Sequence, residues 1–513
     1  MRKPSILFIL PLMLASLVGC NKEDFKPIPI ASSENQALKM DGSNYLLDFY
    51  ALNDLHGAVV ENVETTNLND REPGMARIGA FIREKRNNNL GGSFFLSNGD
   101  AYQGSADSNI TYGKLVMEMF NLLDFESNSV GNHEFDWTIP TLLESMEEAK
   151  VEYSFLACNI KDKAASEIAG KTVYADWCDP YKIEERGVGA DKVKIGIIGS
   201  IATGLESSIL SSAVRNYEFL EPLPLVQHYS QELKDKGCDV IIYTTHGGVS
   251  GKGGTVNHDI ANYVDVIFTG HTHTEVLTYY PSIRGAQVPV LQGRSNGILM
   301  SHAELRVDKV TKVVSATGNL LSFSDLNAFG KDKSIEAIYD KWNRETISAV
   351  KNEKIGSVSK EISKDEMSTF LAKEMLSYAR GQDNAVVAAF HNGLGGVRDV
   401  LRKGNVTYGD IYKIFPFDNA LYFVTVPGTT IAGGRLGYFS SAKGATIDGL
   451  TITPSGSYRI ALISYLAEHD NVLLDGSEPG RLVSGTTVEI LNAYPRDIVA
   501  NAFRSHQHGK PLG

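Results

Sequence analysis

Cysteine is scarce, at four in 513 residues. Three of them, Cys158, Cys178 and Cys238, lie in the body of the chain, which leaves room for one disulfide at most. Their spacing offers no zinc-site pattern. An excess of basic residues is also missing. The net charge is −12, which speaks against a binder of phosphate backbones, since duplex binding needs a basic face. A cationic metal centre is compatible with that charge, because carboxylate ligands count toward the negative total. No apolar run near the start is long enough to span a bilayer: Ile6 to Val18 falls short. No internal repeat or low-complexity segment stands out. What remains is 42% hydrophobic and 21% charged, an ordinary globular composition. The length accommodates two domains, each with its own core.

The N-terminus reads as a targeting segment. Arg2 and Lys3 supply a positive start, the apolar run follows, and Leu17-Val18-Gly19-Cys20 resembles a bacterial lipobox with Cys20 as the lipidated first mature residue. Residues 1–20 are then a lipoprotein signal peptide and 21–44 a polar tether. Export follows, to a periplasmic or cell-surface location, with the membrane reached only through the lipid on Cys20.

The body of the chain shows one recurring arrangement, a short β-prone run that ends in a polar turn. Tyr45 to Leu52 leads into Asn53-Asp54-Leu55-His56-Gly57. Phe94 to Leu96 leads into Asn98-Gly99-Asp100. Ser127 to Val130 leads into Gly131-Asn132-His133-Glu134-Phe135-Asp136. Val240 to Thr245 ends in His246-Gly247-Gly248, and Val264 to Thr269 in Gly270-His271-Thr272-His273. Open α/β sheets place their chemistry at the carboxyl ends of strands. Asp54 and His56, two residues apart, can face one metal. His133 can act as a general acid, with Asp136 holding its tautomer. Carboxylate, amide and imidazole donors without thiolate suit Zn, Mn, Mg or Fe. Asp54, His56, Asp100, Asn132, His246, His271 and His273 exceed the ligand number of one ion, which implies two ions with a shared carboxylate.

These motifs, with Gln103-Gly104-Ser105 after Asp100, resemble the calcineurin-like metallophosphoesterases. Among them the chain is similar to the bacterial 5'-nucleotidase, UDP-sugar hydrolase and 2',3'-cyclic-nucleotide phosphodiesterase family. By resemblance, one metal takes Asp54, His56 and His273, the other takes Asn132, His246 and His271, and Asp100 bridges them. His133 is then the catalytic non-ligand histidine, and Asp136 its partner. The resemblance implies an α/β fold: an α/β/β/α metallophosphoesterase sandwich over 45–325, a linker helix over 326–352, and a smaller α+β C-terminal substrate domain over 353–513.

In that last segment, Asn392-Gly393-Leu394-Gly395-Gly396-Val397-Arg398 and Phe415-Pro416-Phe417 resemble the family's nucleotide-holding loops. A glycine-rich loop carrying an arginine can approach an anionic ligand closely, and a phenylalanine can stack on a base. Asn392, Arg398 and Phe417 are therefore the expected substrate residues. Two departures stand out. Leu394 lengthens the glycine loop. The family's late Gly-Gly-Asp-Gly-aromatic motif is replaced by Glu468-His469-Asp470-Asn471-Val472, so a second stacking aromatic is lacking. The resemblance implies a hydrolase releasing phosphate from nucleotides by attack of a metal-activated hydroxide, with two divalent ions as cofactors. Its partner is a small-molecule nucleotide, not a nucleic-acid polymer. The alternatives are a 2',3'-cyclic-nucleotide phosphodiesterase or a UDP-sugar diphosphatase and, more remotely, a nucleotide-binding surface lipoprotein without catalysis.

Overall fold

The computed structural model describes residues 26–33, 35–249, 256–432, 446–447, 450–468, 473, 486–491 and 493–506. The signal segment with Cys20 lies outside the described residues, as do His469 to Val472.

Two sheets organise the first 330 residues, and their main strands are numbered here in chain order. They are β1 (Asn44–Leu52), β2 (Ser93–Ser97), β3 (Ser127–Ser129), β4 (Ser154–Leu156), β5 (Tyr181–Val188) and β6 (Asp191–Ile201). Next come β7 (Val240–His246), β8 (Val266–Phe268), β9 (Val276–Pro281), β10 (Gln287–Gln292), β11 (Met300–Asp308) and β12 (Val314–Leu321). The first sheet runs β12-β11-β1-β2-β3-β4, with the short Met40–Asp41 strand added to β1. The second runs β9-β10-β8-β7-β6-β5. Strands β1 to β4 pair in parallel, as do β6, β7, β8 and β10. Parallel strands are covered on both faces and read as continuous apolar runs, which is why Val240 to Tyr243 and Phe94 to Leu96 carry no alternation.

Inward side chains of the two sheets make one core: Leu47, Phe49 and Phe94 from the first meet Ile195, Ile242 and Phe268 from the second. Phe49 and Phe94 stack with centroids 4.4 Å apart, a pairing worth about 0.5–1.5 kcal/mol beyond burial. The outer face of the first sheet packs Tyr50 and Phe95 against Ile78, Phe81, Phe120 and Ile335. These come from the helices Gly74–Asn88, Lys114–Leu122 and Lys333–Trp342. The outer face of the second packs Ile198, Ile241 and Ile267 against Val226 and Leu233 of the helix Pro222–Asp235. This is the α/β/β/α sandwich that the resemblance implies.

Lys333–Trp342 continues through one π-helical turn, Asn343–Ile347, into Ser348–Lys351. Ile335, Ile338 and Ile347 bury against the first domain, so this stretch is a packed bridge. Beyond it lies a four-stranded sheet of β13 (Val386–Phe390), β14 (Leu421–Pro427), β15 (Ser457–Ile463) and β16 (Thr487–Leu491), in the order β13-β15-β14-β16. The helices Lys364–Gln382 and Pro495–His506 cover it. Their Met367, Leu371, Val499 and Phe503 join Phe390, Phe423 and Leu462 in a separate core. Cys158, Cys178 and Cys238 are all free thiols.

Candidate metal and nucleotide site

The carboxyl ends of β1, β2 and β3 in one sheet and of β7 and β8 in the other meet at a single place. Asp54, His56, Asp100, His271 and His273 all hold positive φ, at 50°, 48°, 51°, 72° and 54°. Each such residue costs about 1–2 kcal/mol, and strain of this kind concentrates at functional sites. The backbone here folds to converge side chains rather than to relax. Glycine serves the same end: a Cβ at Gly131 would lie 2.3 Å from Asp100 Oδ1.

Three groups of donor atoms, each within 4.8 Å of one another, can hold a cation. They are Asp54, His56 and His273; Asp100, His246 and His271; and His56, Asp100 and His133 between them. Asn132 joins the second group, its Oδ1 lying 2.9 Å from His271 Nδ1. The residues read from the sequence as ligands are thus brought together, with Asp100 central.

Tautomers show what this cluster fits. His56 Nδ1 lies 2.9 Å from the Gln103 carbonyl oxygen, and His246 Nδ1 lies 2.8 Å from that of Asn98. A carbonyl only accepts, so in the neutral rings Nδ1 carries the proton and Nε2 keeps a bare lone pair. Those lone pairs face other acceptors. His56 Nε2 is 3.1 Å from His273 Nε2. His246 Nε2 is 3.0 Å from Asp100 Oδ2 and is buried without a hydrogen-bond partner. Lone pairs aimed at one another and at carboxylates are what cation ligands present, with the outer nitrogen oriented by a carbonyl. The donor set therefore fits two divalent ions.

His133 differs from the others. Its Nδ1 lies 2.8 Å from Asp136 Oδ2, and its backbone N–H donates to Asp100 Oδ1 at 2.8 Å. Burial lowers its pKa, but the Asp136 and Asp100 carboxylates outweigh burial and hold it up to about 9. Burial pulls His56 and His271 down to about 4, neighbouring imidazoles adding to the effect. Burial also lowers the pKa of His246, but Asp100 and Asp54 outweigh it and hold that ring up to about 10. What sets His133 apart is its contact with Asp136 and its place on both cavities that open here.

Glu134 was not singled out in the sequence. It is 2% exposed and accepts from the backbone N–H groups of Gly131 at 2.6 Å and of Asp100 and Ala101 at 3.0 Å each. It ties the turn after β2 to the turn after β3. Only its place inside the motif could have signalled it.

Two cavities open on this centre. One of about 250 Å³ is lined by Asn132, His133, His271, Asn392, Phe417 and Tyr465, among others. The other, about 600 Å³, includes His56, His133, His273 and Lys413. Arg398 and Phe417 line both. The Phe417 ring lies nearly parallel to His133 with centroids 6.1 Å apart, and the Arg398 guanidinium sits 5.3 Å from the Phe417 centroid. Despite the inserted Leu394, Asn392 reaches the smaller cavity. Gly396 makes room for it, since a Cβ there would lie 2.2 Å from Asn392 Oδ1. Tyr465, on the helix Ser464–Glu468, shares the smaller cavity with Phe417 and was missed in the sequence.

Comparison with known proteins agrees with this architecture. Residues 47–275 match the calcineurin-like phosphoesterase family, and residues 346–434 match the 5'-nucleotidase C-terminal domain. The endonuclease YhcR of Bacillus subtilis is 24% identical over 74% of this chain and 32% of its own length. The snake venom 5'-nucleotidase of Crotalus adamanteus is 30% identical over 60% of this chain and 52% of its own. The chain thus spans about a third of the first relative and about half of the second. A crystal structure of a 5'-nucleotidase precursor from Thermus thermophilus superposes with a TM-score of 0.70. It covers 90% of this chain and 96% of its own at 18% identity, and so shares the fold.

Proposed function

We propose, on the premise that the chain belongs to the calcineurin-like phosphoesterases that carry a 5'-nucleotidase C-terminal domain, that it is an exported hydrolase releasing phosphate from nucleotides. The observation that carries this reading is the junction of a cation-binding cluster with a nucleoside-sized cavity, both touching His133. Asp54, His56 and His273 would hold one divalent ion, and Asn132, His246 and His271 the other, with Asp100 shared. The ions would supply water activation and charge neutralisation on the phosphoryl oxygens.

The chain's own groups do the rest. Asp136 fixes His133 with Nδ1–H toward the carboxylate, leaving Nε2 to carry a proton to the departing oxygen, a role worth roughly 10²–10⁴-fold. Phe417 and Tyr465 offer ring faces to a base, and Asn392 and Arg398 offer polar contacts to the nucleoside. The net charge of −12 disfavours a polymer of phosphates and leaves a small nucleotide as the substrate. The lipobox-like Leu17 to Cys20 supports export with a lipid anchor on Cys20, and Cys20→Ser should abolish acylation and membrane fractionation. No helix among the described residues is long and apolar enough to cross a membrane.

A substrate panel tests the activity. Chelated protein with metal added back should release phosphate from nucleoside monophosphates faster than it cleaves 2',3'-cyclic nucleotides or UDP-sugars. Preference for either of the latter would replace this reading with that activity.

A further inference from the structure

The segment from Gln103 to Asn109 touches both the cation cluster and the substrate loop. Its first residue offers two groups. The Gln103 carbonyl accepts from His56 Nδ1 at 2.9 Å, and so aims that ring at the cluster. The Gln103 amide donates Nε2–H to the Pro416 carbonyl, 313 positions away in sequence, at 3.2 Å. Asn109 Nδ2 donates to the same oxygen at 3.0 Å, while its Oδ1 accepts from the Gly104 N–H at 2.8 Å. Both residues are buried. The next residue after that doubly bonded carbonyl is Phe417.

The loop is held from the other side as well. Arg496, also buried, donates Nη1–H to the Phe415 carbonyl at 3.3 Å and pairs with Asp418. Its guanidinium lies 3.6 Å from the Tyr412 centroid. Asp107, 6% exposed, fixes the Gln103–Asn109 segment in turn. It accepts from the Tyr339 hydroxyl at 2.9 Å and from Lys351 Nζ at 2.6 Å, both on the helical bridge between the domains.

We infer that Gln103 and Asn109 are positioning residues for nucleotide recognition. By clamping the Pro416 carbonyl to the segment that orients His56, they set the Phe417 ring relative to the cation cluster. Base binding and phosphoryl binding are thereby held in one register. This rests on the proposed nucleotide hydrolysis.

Asn109→Asp is the discriminating variant. It keeps the side-chain shape and the acceptor for Gly104 N–H, but it replaces the Pro416 donor with a second oxygen. KM for nucleoside monophosphates should rise about tenfold, the scale of one buried donor lost. kcat and KM for a base-free alkyl phosphate should stay within about twofold. In the Phe417→Ala background the same change should add nothing to KM, because the clamp acts through that ring. Backbone hydrogen exchange across 417–419 should quicken in Asn109→Asp irrespective of turnover. Equal loss on nucleotide and alkyl phosphate, full additivity with Phe417→Ala, or unchanged exchange would each overturn the inference. A wild-type protein inert toward nucleotides, with exchange still quickened in Asn109→Asp, would instead sink the activity and leave the clamp standing.

Discussion

Replacing Glu134 with glutamine tests how the two central turns are held together. Its carboxylate takes three backbone N–H groups, with Oε2 serving Gly131 and Asp100 and Oε1 serving Ala101. Glutamine keeps the volume but turns one oxygen into an NH₂ group. Whichever way the amide is oriented, one or two buried N–H groups then face a donor. Each unsatisfied buried donor costs about 1–3 kcal/mol, so Glu134→Gln should lower stability by about 1–3 kcal/mol with one such group and by up to about 6 kcal/mol with two. The turn that holds Asp100 at φ 51° then loses at least one of its two backbone bonds to Glu134, so affinity for both ions should weaken together. Denaturant unfolding of chelated protein isolates the first effect from metal-linked stabilisation, and calorimetric metal titration measures the second. A stability change under about 0.5 kcal/mol, with both affinities intact, would refute the role given to Glu134.

His133→Asn should leave metal content unchanged while kcat falls by about two orders of magnitude or more; loss of an ion with the rate intact would exchange its role for that of a ligand. Phe417→Ala and Tyr465→Ala should each raise KM for nucleotides about five- to hundredfold, the worth of one stacking face, with little effect on a base-free phosphoester. Steady-state kinetics on the two substrate types reads this directly. At the start of the helix Lys364–Gln382, Glu366 closes a capping box with Ser363. Bonds from the Ser363 backbone, Lys360 and the Ser363 hydroxyl hold its carboxyl down to about 2. A folded pKa below the unfolded one contributes stability above about pH 4.5, lost as pH falls toward about 2. Glu366→Gln, which cannot titrate, should flatten that acid limb of the unfolding curve, and an unchanged limb would count against the cap.

The centre was legible in the sequence because each component is local. A short, β-branched run such as Val240 to Thr245 reads as a buried strand, and the polar residue that ends it then lies at the carboxyl end of the sheet. Five such ends carrying Asp, Asn and His left few other arrangements. Glu134 was hidden by its type: a glutamate after a histidine looks like surface until the turns from β2 and β3 are seen to share it. Gln103 and Asn109 were hidden by distance, since nothing local marks a partner some three hundred residues away. Tyr465 was passed over because the missing aromatic was sought near Val472, which lies outside the described residues. The linker helix expected over 326–352 was legible as a helix but not as a packed one, and its buried Ile335, Ile338 and Ile347 show which face the pattern served.

Titration of stripped protein with a divalent ion tests the proposed two-ion nucleotide hydrolysis most directly. Phosphate release from a nucleoside monophosphate should rise with added metal and level off at two ions per chain. Asp100→Ala should weaken both binding steps, since that carboxylate lies beside His246 and within the donor set of His56. Saturation at one ion, or an Asp100→Ala protein that loses only one site and keeps the other at full affinity, would contradict the account.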